Sequence, residues 1–522
     1  MWSRYIFLCC FLAGANLLFG QADKISCDLT NLYQLTFNQS PTLQRQHIQN
    51  RSAEVNKQTA ASLFDYQLFS NLSLNRSGVN LFNADPRKDI IGNQAITNNI
   101  GLSGEVQKTF RSGLTVNAGI EYSRIADNFP FNSFNENVGA FVSNNNTSTT
   151  ISVSQPLLRG RGRSITTANE KIAAISVENQ LYTSSFVASS ELFNMVLGYW
   201  QYLGAQKGVD IFQANEARVN KVLDVTTELV KADKRPKSDL IQIQADLKDR
   251  ERQTIVAQQQ LYTARQNLGR QVGLSTVESE NIGFPLDDFP VLEAVSTATD
   301  LQELLTIAHE NRTDLKALGK TLEIAEVSLE VANNNLKPQL DVTAFITYGG
   351  TDTGNSLTRF FSALGQQEGR NYQAGLGLSY VFPVNNNAAE AALLNNQLQY
   401  SDREIQIRNQ IRNIELNVSI AYNNFSNSIE ALKKSKQSLT YFKKVFQNEQ
   451  LKFQMGLTTL LDLILFQERL TFAELDYIQN QQQFAIAISN LRFETGTLFT
   501  HEQAQTQNKS IDLDLFYSLP KE

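Results

Sequence analysis

Tyr372-Gln373-Ala374-Gly375-Leu376-Gly377-Leu378-Ser379-Tyr380-Val381-Phe382-Pro383 is the stretch that decides the fold. Tyr372, Ala374, Leu376, Leu378, Tyr380 and Phe382 point to one side of an extended chain, while Gln373, Gly375, Gly377 and Ser379 point to the other. That period of two is the mark of a strand. Just past it the period changes: residues 388–455 contain no Gly and no Pro, and Ile411, Ile414, Val418 and Tyr422 recur at helical spacing. At 1.5 Å per residue such a helix is roughly 100 Å long, far more than a compact domain needs and near the depth of a periplasm.

Working outward, the same alternation appears in Leu340, Val342, Ala344, Ile346 and Tyr348. The first half repeats it in Tyr66, Leu68, Leu72 and Leu74, then in Ile100, Leu102, Val106 and Phe110. After the tight turn Arg111-Ser112-Gly113 it returns in Leu114, Val116, Ala118, Ile120 and Tyr122, and a shorter run, Ile151 and Val153, precedes Pro156. Segments of about ten residues, apolar on one face and polar on the other, suit a barrel wall between lipid and a lumen. A half-buried strand of a soluble sandwich has the same alternation.

The chain also repeats itself. Ala53-Glu54-Val55 recurs 272 positions later as Ala325-Glu326-Val327, and the same shift aligns Leu43 with Leu315, Ala60 with Ala332 and Leu68 with Leu340. Pro156 pairs with Pro383. At a shift of 223, Tyr199 pairs with Tyr422, Asp239-Leu240 with Asp462-Leu463, Gln244 with Gln467, Leu247 with Leu470, Asn267-Leu268 with Asn490-Leu491 and Gly273 with Gly496. The chain is therefore read as a tandem duplication. The first repeat covers 23–273, with strands over about 66–156, a long helix over about 164–232 and a return helix over about 237–272. A linker occupies 274–300, where Gly283, Pro285 and Pro290 interrupt regular structure. The second repeat, 301–499, has strands over about 339–383, a long helix over about 388–455 and a return helix over about 460–496; 500–522 is a tail. Gly198, Gly204 and Gly208 lie inside the first long helix and predict a bend or close packing there.

Of 522 residues 42% are apolar, which rules out wholesale disorder, and the net charge is −6 with basic residues scattered along the chain. Nucleic acid is not an expected partner. Arg4, the apolar run Tyr5 to Phe19 and the small residues of Gly20-Gln21-Ala22 read as an export signal over 1–22. Cys9 and Cys10 leave with it, so Cys27 is the only mature cysteine and no internal disulfide is expected. Lys24 stands where a lipobox needs an apolar residue, which weakens a lipid anchor on Cys27. No later stretch suits a transmembrane helix, so if this exported chain enters a membrane it must do so as strands of a closed barrel.

Several local motifs, in their order, resemble the TolC-like outer-membrane efflux protein family along nearly the whole mature chain. Asn38-Gln39-Ser40-Pro41-Thr42-Leu43 resembles the family's opening helix, with a second copy at Asn311-Arg312-Thr313-Asp314-Leu315. Ser154-Gln155-Pro156-Leu157-Leu158-Arg159-Gly160 is similar to its strand-to-helix return. Met455-Gly456-Leu457-Thr458 with Leu461-Asp462-Leu463, then Asn490-Leu491-Arg492-Phe493-Glu494-Thr495-Gly496, resemble its helical tip and last helix. The resemblance implies a mainly α chain with membrane β: the tandem-repeat protomer of a homotrimer, sharing one β-barrel in the outer membrane and a long periplasmic α-barrel of coiled-coil helices. It implies a passive duct for efflux or type I secretion, fed by an inner-membrane transporter and a periplasmic adaptor, or membrane fusion protein. Six strands are too few to close a barrel alone, which also requires oligomerisation. A periplasm-spanning scaffold without an open lumen is the alternative.

Two features depart from the family pattern. Tyr66 to Pro156 spans 90 positions against 45 from Pro338 to Pro383, and the surplus houses a hairpin near 97–127, giving six candidate strands where the pattern has four. The first tip, Lys231-Ala232-Asp233-Lys234-Arg235-Pro236-Lys237, lacks the Gly-Leu of the second. No catalytic, cofactor-binding or metal motif is found: His309-Glu310 lacks a second His four residues after the first, Gly101-Leu102-Ser103-Gly104 is not a nucleophile elbow, and His47, His309 and His501 lie far apart in sequence. Asp462 and Asp239, each just past a tip, are the candidates for a ring of carboxylates at a pore constriction, where mutual repulsion raises the pKa or recruits a cation. Leu465 stands where the family has a second acid, so the gate is expected to be partly apolar. The bland reading of both Asp residues is that they bond the free amides at a helix start. Met455, Gly456, Leu457 and Thr458 are the adaptor-contact candidates.

Overall fold

A computed structural model describes residues 24–128, 143–292, 300–356, 358–365, 371–499 and 516–520. The export signal, His501, part of the linker and most of the tail lie outside the described residues. In chain order the elements are β1 (Ile25–Cys27), α1 (Leu29–Gln39), α2 (Pro41–Ala61), β2 (Tyr66–Asn80), α3 (Lys88–Ile91), β3 (Gln94–Thr109), β4 (Thr115–Asp127), β5 (Ser143–Pro156), α4 (Arg163–Thr166), α5 (Ala168–Lys231) and α6 (Lys237–Val272). Next come α7 (Thr276–Glu280), β6 (Ile282–Pro285), α8 (Leu301–Asn311), α9 (Thr313–Asn335), β7 (Gln339–Thr353), α10 (Arg359–Gly365), β8 (Asn371–Val381), α11 (Asn387–Gln454) and α12 (Leu460–Glu494). The chain divides into two units, and each draws on both repeats.

One unit, Gln49–Leu181 with Lys316–Asn409, holds a six-stranded sheet in the order β2-β3-β4-β5-β7-β8, with every neighbouring pair antiparallel. The surplus hairpin, β3 and β4, is part of it. An inserted pair of strands preserves the up-down direction of the later strands, so β5 still reaches β7. Register fixes the faces: Leu72, Leu102, Tyr122 and Thr147 lie in one row, and Ala118, Ile151, Ile346 and Ala374 in another on the same side. That side carries the alternating apolar residues of every strand, and Leu72, Leu102, Leu376 and Leu378 are exposed on it. β5 is longer than its short apolar run suggested, because Ser143 to Thr149 has no apolar alternation to read and still pairs with β4 and β7. The return motif is held from the second repeat: Leu157 N donates to Leu340 O (2.7 Å) and Gly160 N to Asn334 Oδ1 (2.8 Å). Beside it Ala168, Ile175 and Val327 pack α5 on α9.

The other unit, Met1–Ile48, Tyr182–Leu315 and Gln410–Glu522, is helical apart from the parallel pair β1 and β6. Its largest core gathers Leu192, Val196, Tyr199 and Trp200 of α5 with Leu32 and Tyr33 of α1 and Leu268 of α6. Cys27 is sealed in that core, and burial pushes its thiol up to about 12. An acyl chain there would have to displace packed side chains, which argues against lipidation. α5 runs through its three interior glycines as one helix. The reason at Gly198 is close packing: a Cβ there would meet the side chains of Gln271 and Leu268. Gly204 similarly faces Gln482, whereas Gly208 faces nothing within 4 Å.

Candidate functional site

The two helical tips are built alike from different residues. α11 ends in Gly456 at φ 76°, and Leu457 N reaches back to Lys452 O at 2.9 Å. α5 ends with Asp233 at φ 49°, and Lys234 N reaches back to Leu229 O at 2.9 Å. Both closures satisfy the last free carbonyls of a helix with a left-handed residue. The first tip therefore keeps the second tip's backbone without its glycine. Arg235, which sequence reasoning did not single out, joins the tips: it donates to Thr458 O and lays its guanidinium 4.9 Å from the Phe453 ring centre. Behind it Val219, Val222, Ile243, Phe446, Phe453 and Leu463 form one apolar cluster from all four helices.

The return helices start differently. Thr459 caps α12: its Oγ1 accepts from Asp462 N (3.1 Å) and donates to Asp462 Oδ2 (2.6 Å), while Thr459 N also donates to Asp462 Oδ2 (3.4 Å). This is a capping box, and it holds the Asp462 carboxyl below the usual carboxylate range in the single chain, opposite in direction to a repelling ring. At the equivalent place in α6 the cap is Pro236, which has neither hydroxyl nor N–H. Asp239 consequently finds no donor for its carboxylate among the described residues. Leu461 and Leu465 are exposed on α12, and Met455 and Leu457 are exposed at the tip. Gly456 is exposed beside them, and Thr458 lends its carbonyl to Arg235.

Above the tips a polar belt interrupts the apolar packing. Gln467 Nε2 donates to Asn215 Oδ1 (2.9 Å), and Arg218 pairs with Glu474 (2.7 Å). Arg250 pairs with Asp246 (2.7 Å), whose carboxyl is nevertheless raised because burial outweighs the cation. The Gln467–Asn215 and Arg218–Glu474 pairs join α12 to α5 and fix their register, because a slipped pairing would leave these groups unpaired, whereas Arg250–Asp246 lies within α6. The Gln244 and Gln467 repeat was the only sequence sign of this belt.

The polar face of the sheet carries Glu105, Glu121, Asp127 and Asp341 and, among the described residues, no Lys or Arg. Arg76, Lys108 and Arg124 all fall on the apolar side. Glu105 and Glu121 are diagonal neighbours on adjacent strands and line a hollow on the polar face. Among the described residues no group of three His, Cys, Asp or Glu is arranged to hold a metal, and no helix is long and apolar enough to cross a membrane.

Residues 304–497 match the family model described as Outer membrane efflux protein. No curated protein matches the sequence. The fold is similar to the outer-membrane channel OprN at 14% identity and TM-score 0.65, covering 90% of each chain. It is similar to the Campylobacter jejuni CmeC outer membrane channel at 12% identity and TM-score 0.65, covering 93% of this chain and 90% of that one. The outer membrane protein VceC from Vibrio cholerae matches at 13% identity and TM-score 0.63, over 90% of this chain and 96% of that one. The family match covers the second repeat, and the fold is shared with these outer-membrane channels along about nine-tenths of the chain.

Proposed function

We propose that three copies of the chain close a single β-barrel in the outer membrane and continue as a helical duct through the periplasm, conducting substrates handed over by an inner-membrane transporter and its adaptor. The observation that carries this reading is a six-stranded antiparallel sheet with one apolar face and no partner strand on the outer edges of β2 and β8 among the described residues. Lipid cannot satisfy an open edge, so β8 of one copy must pair with β2 of the next. Three copies supply eighteen strands, enough for a water-filled lumen lined by the polar face.

The tips are the adaptor-facing end, where Met455 and Leu457 offer apolar contacts beside Gly456 and Thr458. The gate lies at the starts of the return helices. Asp239, with its uncommitted carboxylate, is the stronger ring candidate; Asp462 is bound to its own helix, and Leu465 supplies an apolar constriction. Light scattering in mild detergent checks the assembly, with three protomers expected and a stable monomer fatal. Single-channel recording of that trimer then separates a duct from a closed scaffold.

A further inference from the structure

The apolar face of the sheet is bare where it is apolar and covered where it is polar. Along most of its height Leu72, Leu102, Leu376 and Leu378 are exposed. At the far end of β5 the same face turns polar, with Ser143, Asn145 and Thr147 at 0%, 0% and 2% exposure. The element that buries them is α10, the seven-residue helix Arg359–Gly365, which packs on β5 and β7.

Register places α10 on the apolar face. Arg124, Asn145 and Asp352 form one row of that face, and Tyr122 and Thr147 belong to the next. Arg359 of α10 pairs with Asp352 at 3.2 Å, and Phe360 meets the Tyr122 ring edge-on at 5.1 Å. Under the helix Tyr122 Oη donates to Asn145 Oδ1 (2.7 Å), Asn145 Nδ2 to Gly354 O (2.9 Å) and Arg124 Nε to Ser143 Oγ (2.8 Å), while the buried Thr147 Oγ1 has no hydrogen-bond partner. The outward side of α10 is apolar, with Phe361 70% exposed and Leu364 37% exposed. Its inward side already holds Ala363 and Phe360, and a loop helix standing in water has no reason to turn a second phenyl ring and a leucine outward as well.

We infer that α10 is an interfacial helix lying in the outer leaflet against the outside of the barrel, with Phe361 and Leu364 in lipid. It seals a polar patch of the wall that bare lipid would not tolerate, and it continues the apolar band of the sheet outward. This rests on the reading of the sheet as a barrel wall with its apolar face in lipid. The occupant is lipid, because the helix extends a surface whose other residues are suited to lipid alone.

The test is depth-dependent quenching in the full chain. Phe361→Trp, Leu364→Trp and, on the bare part of the face, Leu376→Trp are reconstituted separately into phosphatidylcholine vesicles with bromine near the head of the acyl chain. Trp200, fully buried in the helical core, provides the unquenched background. Emission added by Phe361→Trp is expected to fall at least twofold in brominated lipid and to resist aqueous iodide; Leu364→Trp gives the same reading if the first variant does not assemble. Quenching of Leu376→Trp alone, with both α10 probes quenched by iodide or by neither agent, overturns the inference and leaves the barrel standing. If Leu376→Trp is not quenched by lipid, the barrel reading itself falls and the inference with it.

Discussion

Gly273 and Gly496 serve one purpose at equivalent places in the two repeats. Each ends a return helix in the left-handed region, at φ 91° and 70°. A Cβ on Gly273 would lie 2.6 Å from Gln39 O, and one on Gly496 2.9 Å from the Asn311 carbonyl carbon. Both clashes are with backbone at the break between two helices, α1 and α2 or α8 and α9, so neither can be relieved by a rotamer. Gly273→Ala and Gly496→Ala are each expected to cost about 2 kcal/mol or more, whereas Gly208→Ala, in a helix with open space, should gain roughly 0.5–1 kcal/mol. Unfolding midpoints of the three variants check the opposite signs. Asp462 gives a pH prediction. Its pKa is lowered on folding, so the capping box contributes fully above the ordinary carboxylate range and is lost as pH falls through the lowered value. Hydrogen exchange at the start of α12 should speed up on acidification below pH ~4 in the native chain. In Asp462→Asn, which has no proton to gain, that acceleration should be absent.

At the scale of elements, the tips argue that a turn is a backbone geometry before it is a sequence motif. Asp233 fills the place of Gly456, and the small polar side chain makes the left-handed conformation tolerable. The absence of Gly-Leu at the first tip therefore changes its surface without changing its turn. Because Asp239 lacks the cap bonds that engage Asp462, Asp239→Asn is expected to weaken divalent-cation block from the periplasmic side more than Asp462→Asn does. Planar-bilayer current is the measurement, and equal effects would return Asp462 to the gate. The polar faces of β3 and β4 carry Glu105 and Glu121 with no neighbouring cation on that face among the described residues. Counter-ions concentrate beside fixed charge in a narrow lumen. The double change Glu105→Gln with Glu121→Gln should shift the reversal potential in a salt gradient toward weaker cation preference while channels still form.

For the whole molecule, the proposed barrel makes the inserted hairpin the element that sets its width. Barrel diameter grows roughly linearly with strand number, so removing residues 94–127 leaves four strands per chain and a lumen of roughly half the cross-section. The deletion keeps the direction of β5 and is therefore expected to assemble. The largest polyethylene glycol that enters from the outer side should be distinctly smaller than for the intact chain. An unchanged cut-off would mean that β3 and β4 do not line the pore.

The sequence by itself determined the elements and their faces. A run of residues without Gly or Pro between 388 and 455 leaves little but helix, and strict alternation commits Leu376 and Leu378 to one side of a strand before any partner is known. The duplication likewise showed which residues of the two halves correspond. Only the tertiary structure decided which groups are already engaged. Asn145 and Thr147 carry no apolar signal, and they belong to a strand because β7, more than 200 residues later, pairs with them. Asp239 and Asp462 are equivalent in the repeat, and they differ because a proline caps one helix and a threonine the other. Period is a local property of the chain; burial and hydrogen-bond satisfaction depend on residues that the fold brings from far away.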